Sequence, residues 1–366
     1  MGGVIADTDR GRAGAPSARV GNARTTWHER HGLLVRLVDR DGLVGVGEAS
    51  PLPGHSADNL DQCRAELGAI AWAEIAPVTA ARVGEVTAVL TCPSVRFALD
   101  TALLDLIGQK SGLSMATLLA SSEREPVQRV PINALISDVG NAANRASDAR
   151  ARGIECIKVK VGRPGRFADE LAALRAIRDA CGDQLSIRLD ANQSWSAVEA
   201  ASHLARLADI GPEYIEEPTG DLVGLLALGK PPIPLALDES LARGRGSVAL
   251  DGLMQSGVVR ALVIKPMLMG GLFCSLDWAA RARAYGAAFV VSHLLGGPIE
   301  LTACIQLAVA LGGKDACGLD RHPGLTVWPE MAIPGLEAGY LTAVDKPGLG
   351  FDSAALRDQP SAAERS

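Results

Sequence analysis

Residues 157–161 read Ile-Lys-Val-Lys-Val, and this alternation is the first of five similar patterns that indicate the fold. Side chains alternate between the two faces of a strand, so Ile157, Val159 and Val161 share one face while Lys158 and Lys160 share the other. Four later apolar segments end in charged residues in the same way: Ile187-Arg188-Leu189-Asp190, Tyr214-Ile215-Glu216-Glu217-Pro218, Leu235-Ala236-Leu237-Asp238 and Leu262-Val263-Ile264-Lys265-Pro266. We predict five strands whose charged residues share one face.

Helical segments separate these strands. Apolar residues recur near helical spacing within residues 168–180, 196–208 and 276–284. Strands and helices that alternate every ~22 to 32 residues predict right-handed parallel crossovers and a closed α/β barrel. In such a barrel the carboxyl ends of the strands meet at one mouth, where barrel enzymes carry out their chemistry. Solvation of single strand ends is the alternative, and five charged ends in succession disfavour it.

The 366 residues exceed the ~200 that one barrel requires, so a second domain is expected. Residues 26–49 predict a β-hairpin that turns at Asp41-Gly42, and residues 58–119 have a helical pattern. We therefore predict a flexible N-terminus at 1–21, an α+β capping domain at 22–128 and the barrel at 129–320, with strands at 130–136 and 288–293. Residues 321–366 are predicted to pack back on the capping domain.

Composition narrows the choice of partners. The net charge is −6 and no run of Lys and Arg stands out, which argues against nucleic acid. No apolar run approaches the ~18 residues of a membrane span, and the N-terminus lacks the apolar centre of a signal peptide, so we expect no membrane partner and a cytoplasmic protein. The seven cysteines are odd in number and form no C-x-x-C pair, which argues against disulfides and thiolate zinc sites. Assembly with copies of itself is left open.

The candidate site begins with three carboxylates. Asp190, Glu216 and Asp238 would lie on three adjacent strands, and they offer only oxygen ligands. Hard oxygen ligands suit Mg²⁺, and three packed carboxylates repel one another unless a cation lies among them. The alternative is a buried ion network in which the lysines neutralise the carboxylates without a metal.

Three lysines complete the candidate site. Lys158 and Lys160 would flank the metal on one side and Lys265 on the other. Neighbouring positive charges and burial both disfavour an ammonium ion, so the pKa of such a lysine is expected to fall toward the range of a general base. A base beside a metal that stabilises an enediolate predicts removal of a proton next to a carboxylate, so we expect a small-molecule carboxylate substrate.

The ordered motifs resemble those of a known family. Lys158-x-Lys160, Asp190 in LDAN, Glu216 in IEEP, Asp238 in LDES and Lys265 in IKP, followed by Gly270-Gly271, resemble the muconate-lactonising subgroup of the enolase superfamily. The resemblance covers almost the whole chain. It implies a (β/α)7β TIM-like barrel with an N-terminal α+β capping domain, and Mg²⁺ held by Asp190, Glu216 and Asp238.

Four stretches narrow the resemblance within the subgroup. GEASPLPGHS, RFALDTALLDL, VPINALI and ALDES resemble the o-succinylbenzoate synthase family of menaquinone biosynthesis. That family implies a syn dehydration of 2-succinyl-6-hydroxy-2,4-cyclohexadiene-1-carboxylate. Lys160 would take the α-proton and return it to the departing hydroxyl, and Lys158 would support the enediolate and lower the pKa of Lys160. Lys265 would face the other side of the ring as an electrostatic or cation-π partner.

Substrate contacts are expected from three regions. The loop at 51–56 resembles a capping loop that closes over substrate, and Ser292 with the following Gly-Gly turn resembles the region that binds the succinyl side. Arg188 and Asn192 flank a predicted ligand, although a structural salt bridge explains Arg188 equally well. His55 departs from the aromatic residue that relatives often carry, and a plain surface role is an open alternative for it and for His293. The expected contacts are Pro53, Gly54, His55, Arg188, Asn192, Ser292, Gly296 and Gly297.

Three further functions stay open. An N-succinylamino acid racemase, alone or as a second activity, would use Lys160 and Lys265 as bases on opposite faces of the substrate. A dipeptide epimerase is less favoured, because such relatives carry an acidic D-x-D pair near the seventh strand and residues 292–297 contain no acid. A catalytically inactive barrel that binds a metabolite or assembles with a partner is the third alternative.

Overall fold

The N-terminal domain is built on a three-stranded antiparallel sheet. The computed structural model describes residues 2–12, 20–21, 26–27, 29–72, 79–121, 124–321 and 333–351. Strands β1 (Gly2–Arg12), β4 (Glu29–Val38) and β5 (Val44–Ala49) pair in the order β1-β4-β5, while β2 (Val20–Gly21) pairs with β3 (Thr26–Trp27). The predicted hairpin corresponds to β4 and β5, and its turn is held by Asp39, whose carboxylate accepts the amides of Asp41 and Leu43.

Strand β1 differs from the expected flexible N-terminus. Its residues run antiparallel to β4, with Gly2 opposite Val38 and Arg12 opposite Glu29. The edge of a sheet offers unpaired backbone donors and acceptors, and pairing with them requires no particular side chains. A stretch without apolar alternation can therefore form a strand that its sequence does not reveal. The rest of that predicted segment, residue 1 and residues 13–19, lies outside the described residues.

One long helix covers the sheet of the capping domain. The helices are α1 (Leu60–Ala69), α2 (Val83–Thr87), α3 (Pro93–Ser111) and α4 (Met115–Leu119). Helix α3 packs directly on β5 because Gly45 and Gly47 carry no side chain. A Cβ on Gly47 would lie well inside van der Waals distance of the carbonyl oxygen of Ala98, and a Cβ on Gly45 would meet that of Ala102. The backbones of helix and sheet are therefore in contact at these glycines.

The second domain is a parallel barrel. Seven strands form one sheet in chain order: β7 (Asn133–Ile136), β8 (Cys156–Lys160), β9 (Ser186–Asp190), β10 (Tyr214–Glu216), β11 (Leu235–Leu237), β12 (Val259–Ile264) and β13 (Ala288–Val291). The predicted five charged-ended strands are β8 to β12. The expected α/β barrel with a capping domain is confirmed.

A short eighth segment closes the barrel. Cys317 bridges in parallel to Ile132 just before β7, and Gly318 bridges in parallel to Ser292 just after β13. The amide of Cys317 donates to Pro131 O at 2.8 Å, and the amide of Gly318 donates to Val291 O at 2.9 Å. Residues 317–318 thus occupy the place of an eighth strand between the first and the seventh, as in a (β/α)7β barrel.

Helices surround the barrel. They are α5 (Ala142–Ala151), α6 (Phe167–Cys181), α7 (Ala197–Leu207), α8 (Leu222–Ala227), α9 (Glu239–Arg243), α10 (Val248–Gln255), α11 (Pro266–Met269), α12 (Leu272–Ala284) and α13 (Pro298–Leu311). Every residue of α13 is buried, because this helix contacts the barrel on one side and β5 and α4 of the capping domain on another. Among the described helices, none combines the length and the apolar character that a membrane span requires.

The described part of the C-terminal segment returns to the capping domain. Strands β14 (Leu336–Glu337) and β15 (Tyr340–Thr342) form a small sheet with β6 (Arg129–Pro131). Val130 therefore pairs with Leu341, and the first barrel strand begins at Asn133, three residues after the predicted start. Beyond this sheet, the amide of Leu349 donates to the carboxylate of Asp105 on α3.

The cysteines are free thiols, and all except the partly exposed Cys274 are buried. The fold brings Cys63 and Cys92 together with Asp58, and their potential ligand atoms lie within 4.8 Å of one another, which the sequence spacing did not suggest. The carboxylate of Asp58 accepts the amide and hydroxyl of Ser94 and so caps the start of α3. Burial raises the pKa of both thiols, so these cysteines serve as packing residues, as expected.

The contact between α3 and β5 predicts a large effect for a small substitution. Gly47→Ala places a methyl group against the helix backbone, and overpacking of this kind costs about 1–3 kcal/mol. We expect chemical denaturation to show that loss of stability. Gly68→Ala in α1 is the matched control, because its Cβ meets no atom within 4 Å, and it should leave stability unchanged or slightly raised. Equal stability of the two variants would contradict the packing described.

Candidate active site

Three carboxylates meet at the mouth of the barrel. Asp190 ends β9 and Glu216 ends β10, and the two residues are paired in register. Asp238 follows the last residue of β11. All three side chains are fully buried. Adjacent parallel strands place their carboxyl ends side by side, so the convergence expected from the sequence is present in the structure.

The three predicted lysines lie among these carboxylates. Lys158 Nζ lies 3.1 Å from an oxygen of Asp190 and 3.2 Å from one of Glu216. Lys160 Nζ lies 2.5 Å from Asp190, and Lys265 Nζ forms a short ion pair with Asp238. The lysines approach from β8 on one side and from the end of β12 on the other. All six predicted residues therefore form one cluster.

The cluster has an excess of negative charge. Two further buried carboxylates, Glu217 and Glu239, directly follow predicted ligands. Five carboxylates beside three lysines leave two formal negative charges. Within the described residues, Asp238 Oδ1 and Glu239 Oε2 are buried oxygens without a hydrogen-bond partner. An all-oxygen donor set with unpaired oxygens and two surplus charges fits a hard divalent cation such as Mg²⁺.

The pKa values of the acids follow from this crowding. Burial and the neighbouring Asp190 raise the pKa of Glu216 to about 8. Burial and Glu217 raise the pKa of Glu239 to about 7. Burial would also raise the pKa of Asp190, but Lys160 and Lys158 outweigh it and hold that pKa below its ordinary value. Glu216 and Glu239 are therefore carboxylates whose charge the neighbouring lysines compensate less than that of Asp190.

Two of the lysines differ from the expectation of a lowered pKa. Burial acts to lower the pKa of Lys158, but Glu216 and Asp190 raise it well above its ordinary value. Burial acts in the same sense on Lys265, and Asp238 and Glu239 raise its pKa as well. Carboxylates in direct contact outweigh both burial and the neighbouring ammonium groups. The expectation of a lowered pKa considered the neighbouring lysines but not the carboxylates, which lie closer to the ammonium groups.

Glu217 holds the ends of two strands together, a role that the sequence reading missed. Its carboxylate accepts the amides of Asp238 and Ser240, the hydroxyl of Ser240 and the side-chain amide of Gln193. Glu217 has a φ of 43° and Gln193 a φ of 59°, both in the left-handed region that residues other than glycine rarely adopt. The available signal was the acidic residue directly after two of the three predicted ligands, in IEEP and LDES.

Asn192 connects the acids to a lysine. Its backbone amide donates to Asp190 Oδ1 at 3.0 Å, and its side-chain oxygen accepts from Lys160 Nζ at 2.8 Å. Its side-chain nitrogen reaches Glu239 Oε1 at 3.4 Å. Asn192 lies in the site, as expected from the sequence, and it orients Lys160 in the described structure.

Arg188 lies deeper in the barrel than the expected substrate contacts. Its guanidinium pairs with Glu213 at 2.7 Å, donates to Ala316 O at 2.5 Å and lies over the ring of Tyr214. Its side chain is 2% exposed. Arg188 lies two residues before Asp190 on β9, so both side chains are on the inward face of the strand. Because Arg188 comes earlier in the strand, it lies below the mouth of the barrel. Of the two roles considered for Arg188, the structure supports the structural salt bridge.

The capping loop reaches the site through His55. His55 Nε2 lies 3.6 Å from Glu239 Oε1, and its side chain is 11% exposed. Burial, Lys265 and Lys160 lower the pKa of His55 to about 3, so the ring is neutral at pH 7. Pro53 O accepts the indole N–H of Trp27, and Gly54 has a φ of 76° in the turn before the histidine. The open alternative of a plain surface role for His55 does not fit this position.

The segment after the seventh strand directs its polar groups into the protein. Ser292 Oγ donates to Gly318 O at 3.1 Å. The amide of Gly296 donates to Glu300 at 2.5 Å, and that of Gly297 donates to Glu48 at 2.6 Å. The amides of the two glycines, predicted as substrate contacts, are therefore already bonded to protein carboxylates. His293 Nε2 lies 3.3 Å from Asp320 O at the edge of this segment.

A capped β/α barrel with carboxylates and opposed lysines at its mouth defines a class of enzymes, and sequence comparison identifies it. Residues 141–355 match the family described as Enolase C-terminal domain-like, and residues 19–106 match the one described as MenC, N-terminal domain. The chain belongs to the enolase superfamily, and the muconate-lactonising subgroup fits. This confirms the resemblance seen in the motifs.

Individual relatives carry different activities. An o-succinylbenzoate synthase from Desulfotalea psychrophila is 31% identical over 81% of this chain and 86% of its own. A hydrophobic dipeptide epimerase from Enterococcus faecalis is 29% identical over 87% of this chain and 90% of its own. The crystal structure of a dipeptide epimerase from Enterococcus faecalis, complexed with Mg and the dipeptide L-Leu-L-Tyr, has a TM-score of 0.79 at 24% identity. It covers 96% of this chain and 97% of that one.

The burial of Arg188 predicts a loss of stability on substitution. Arg188→Met leaves the carbonyl of Ala316 without this donor, while the partly exposed Glu213 keeps Ser186 and Arg260, so the loss of these buried hydrogen bonds should cost about 1–3 kcal/mol. Arg260→Met is the control, because this half-exposed arginine also pairs with Glu213 and should contribute at most about 1 kcal/mol. Thermal and chemical unfolding would measure both. A stable Arg188 variant with only a raised KM would restore the substrate-contact role.

Proposed function

We propose that the protein is a Mg²⁺-dependent o-succinylbenzoate synthase of menaquinone biosynthesis. It would catalyse the syn dehydration of 2-succinyl-6-hydroxy-2,4-cyclohexadiene-1-carboxylate. The observation that carries the proposal is the pair of lysines on opposite sides of a carboxylate cluster, together with the match of residues 19–106 to the MenC N-terminal family. The synthase relative from Desulfotalea psychrophila supports it. A cytoplasmic location belongs to the same proposal.

Asp190, Glu216 and Asp238 would hold the metal. Their fit rests on the unpaired oxygen of Asp238 and on the surplus negative charge of the cluster. Mg²⁺ bound there would supply the positive charge that stabilises an enediolate. Glu217 would keep Asp238 in place through its backbone amide, and Asn192 would do the same for Asp190.

The lysines would carry the proton transfers. In its neutral form Lys160 takes the proton from the carbon next to the substrate carboxylate, and the resulting ammonium gives that proton to the departing hydroxyl, which leaves as water. One base thus serves both steps, as a syn elimination requires. Lys158 would stabilise negative charge on the substrate carboxylate. Lys265 would face the opposite side of the ring as a cation.

His55 would close the site from the capping side. Its position beside Glu239 places a neutral imidazole over the mouth, where it can exclude water and contact the substrate. Ser292 would lie at the far wall, at the end of β13. Because the amides of Gly296 and Gly297 are bonded to Glu300 and Glu48, these glycines would shape the wall without donating to the substrate.

The second candidate is N-succinylamino acid racemisation, alone or beside dehydration. The opposed positions of Lys160 and Lys265 favour it, because two bases on opposite faces can remove and return a proton with inversion. Dipeptide epimerisation, the activity named for the relative from Enterococcus faecalis, is less favoured. The described residues 292–297 offer no acid for a substrate ammonium group.

Parallel kinetic assays with Mg²⁺ distinguish these candidates. We expect efficient dehydration of the cyclohexadiene carboxylate, loss of activity with EDTA and recovery when Mg²⁺ is restored in excess. N-succinyl amino acids in a second assay would measure racemisation. Comparable rates in both assays would make the enzyme bifunctional. Absence of dehydration with an intact fold would reject the synthase assignment.

Substitution of the two lysines separates one-base from two-base chemistry. Lys160→Ala should lower kcat of either reaction by about 10²–10⁴-fold, because the proton acceptor is lost. Lys265→Arg keeps the positive charge but supplies no second base, so it should retain part of the dehydration and nearly eliminate racemisation. Circular dichroism would control for folding. Racemase activity retained in Lys265→Arg would contradict the two-base mechanism.

A further inference from the structure

Two buried carboxylates from different domains meet beside Gly296. Glu48 ends the β-hairpin of the capping domain and is 5% exposed, and Glu300 lies in the first turn of α13 and is fully buried. A Cβ built on Gly296 would approach an oxygen of each carboxylate to less than 3.0 Å. Glycine is thus required between them, and the pair lies at the interface of the two domains.

These carboxylates hold the loop after the seventh barrel strand. Glu300 accepts the amides of Leu294 and Gly296, both at 2.5 Å. Glu48 accepts the amide of Gly297 at 2.6 Å and that of Glu300 at 3.1 Å. Four backbone amides between residues 294 and 300 therefore donate to two carboxylates, and one of these carboxylates belongs to the capping domain.

Arg30 joins the same loop to the start of the capping loop. This buried residue of β4 donates to Leu295 O at 3.0 Å, to Ser50 O at 2.7 Å and to Pro51 O at 3.0 Å. The hydroxyl of Ser50 in turn donates to Glu48. A planar guanidinium has donors in a fixed fork, so it can span three carbonyl groups that a lysine cannot.

The two joined segments are neighbours that come from different domains, and each is inferred to form a wall of the candidate site. The capping loop runs from Pro51 to His55, whose ring contacts Glu239 at the mouth. The barrel loop begins after Ser292 at the end of β13. Unpaired buried carboxylates and guanidinium groups are costly, so separation of the walls would leave these charges without partners.

We propose that Arg30, Glu48 and Glu300 are positioning residues that hold the capping loop and the barrel loop 294–297 as a single unit. We call this set the interdomain clasp. It fixes the distance between the two walls, and with it the size of the space left for the part of the substrate that lies away from the lysines. The inference holds for whichever substrate the enzyme uses, because it concerns the walls and not the proton transfer.

Hydrogen–deuterium exchange of the full-length protein tests the clasp without an activity assay. Glu300→Gln replaces one carboxylate oxygen, which accepts a backbone amide, by an NH2 group that cannot accept it. The hydrogen bonds of the Glu300 side chain are made with the barrel loop only. We expect exchange to accelerate at least about tenfold in peptides covering 294–300 and also in those covering 50–56. Acceleration confined to 294–300, or in neither segment, would overturn the proposal.

Glu170→Gln is the matched control. Glu170 is a buried carboxylate in the first turn of α6 that accepts the amides of Gly162 and Arg163, both at 2.9 Å, after barrel strand β8. Its substitution removes the same kind of bond from a different loop. Exchange should accelerate near residues 162–163 and remain unchanged at 50–56 and 294–300. General loosening of all three segments in the control would remove the support for a specific clasp.

Arg30→Lys is the second variant, for use also if Glu300→Gln does not fold. Lysine keeps the positive charge but lacks the forked donors of the guanidinium group. Hydrogen–deuterium exchange should therefore again accelerate in both loops together. On the substrate that the wild-type enzyme turns over, KM should rise about tenfold while kcat changes by less than about threefold, because the walls bind substrate and the lysines remain in place. Wild-type exchange in Arg30→Lys, or an equal fall of kcat with an unchanged KM, would overturn the positioning role.

Discussion

The candidate site depends on negative charge buried at the mouth of the barrel. Carboxylates on adjacent strands cannot all stay ionised out of water unless cations lie beside them. In the described structure Lys158 contacts Glu216, and Lys265 contacts Asp238. Each ion pair connects a lysine and a carboxylate that belong to or directly follow different barrel strands. The carboxylate of Glu217 is stabilised differently, because it accepts hydrogen bonds from neutral donors. One of these donors is the backbone amide of Asp238, which Glu217 thereby holds in place. The remaining surplus of negative charge is what the divalent cation of the proposed function would neutralise.

The capping domain completes the site because its contacts with the barrel leave little freedom. Helix α3 of the cap contacts α11 and α12 of the barrel domain, and α13 is buried between the barrel and the cap. Polar groups at such an interface must be paired within the protein, since water does not reach them. The hydrogen bonds of Glu48 and Arg30 to residues beyond the seventh strand meet this need. The same bonds therefore also hold the capping loop and the loop after the seventh strand against each other.

Relatives with different activities share this architecture. The synthase and the epimerase resemble the chain to nearly the same extent, at 31% and 29% identity. Lysines beside a carboxylate cluster suit any reaction that begins with loss of a proton next to a carboxylate, so this part of the site does not select the substrate. Selection falls to the groups that contact the rest of the molecule. Under the proposed function these would be His55 on the capping loop and the segment after Ser292, both of which lie at the domain interface.

The barrel strands and the six charged residues at the mouth could be predicted from the sequence. Strand alternation is local, and chain order places the carboxyl ends of parallel strands together. The alternation of a strand specifies the face on which each side chain lies. It does not specify how deep in the barrel that side chain lies or which groups it contacts. Arg188 shares the parity of Asp190, yet it bonds to the carbonyl of Ala316, 128 residues away, below the mouth. The amide of Gly297 meets Glu48 across 249 residues, and the strand at 2–12 follows from backbone pairing that leaves no side-chain pattern. These features could not be predicted from the sequence, because each depends on a partner that is distant along the chain and is brought near by the fold.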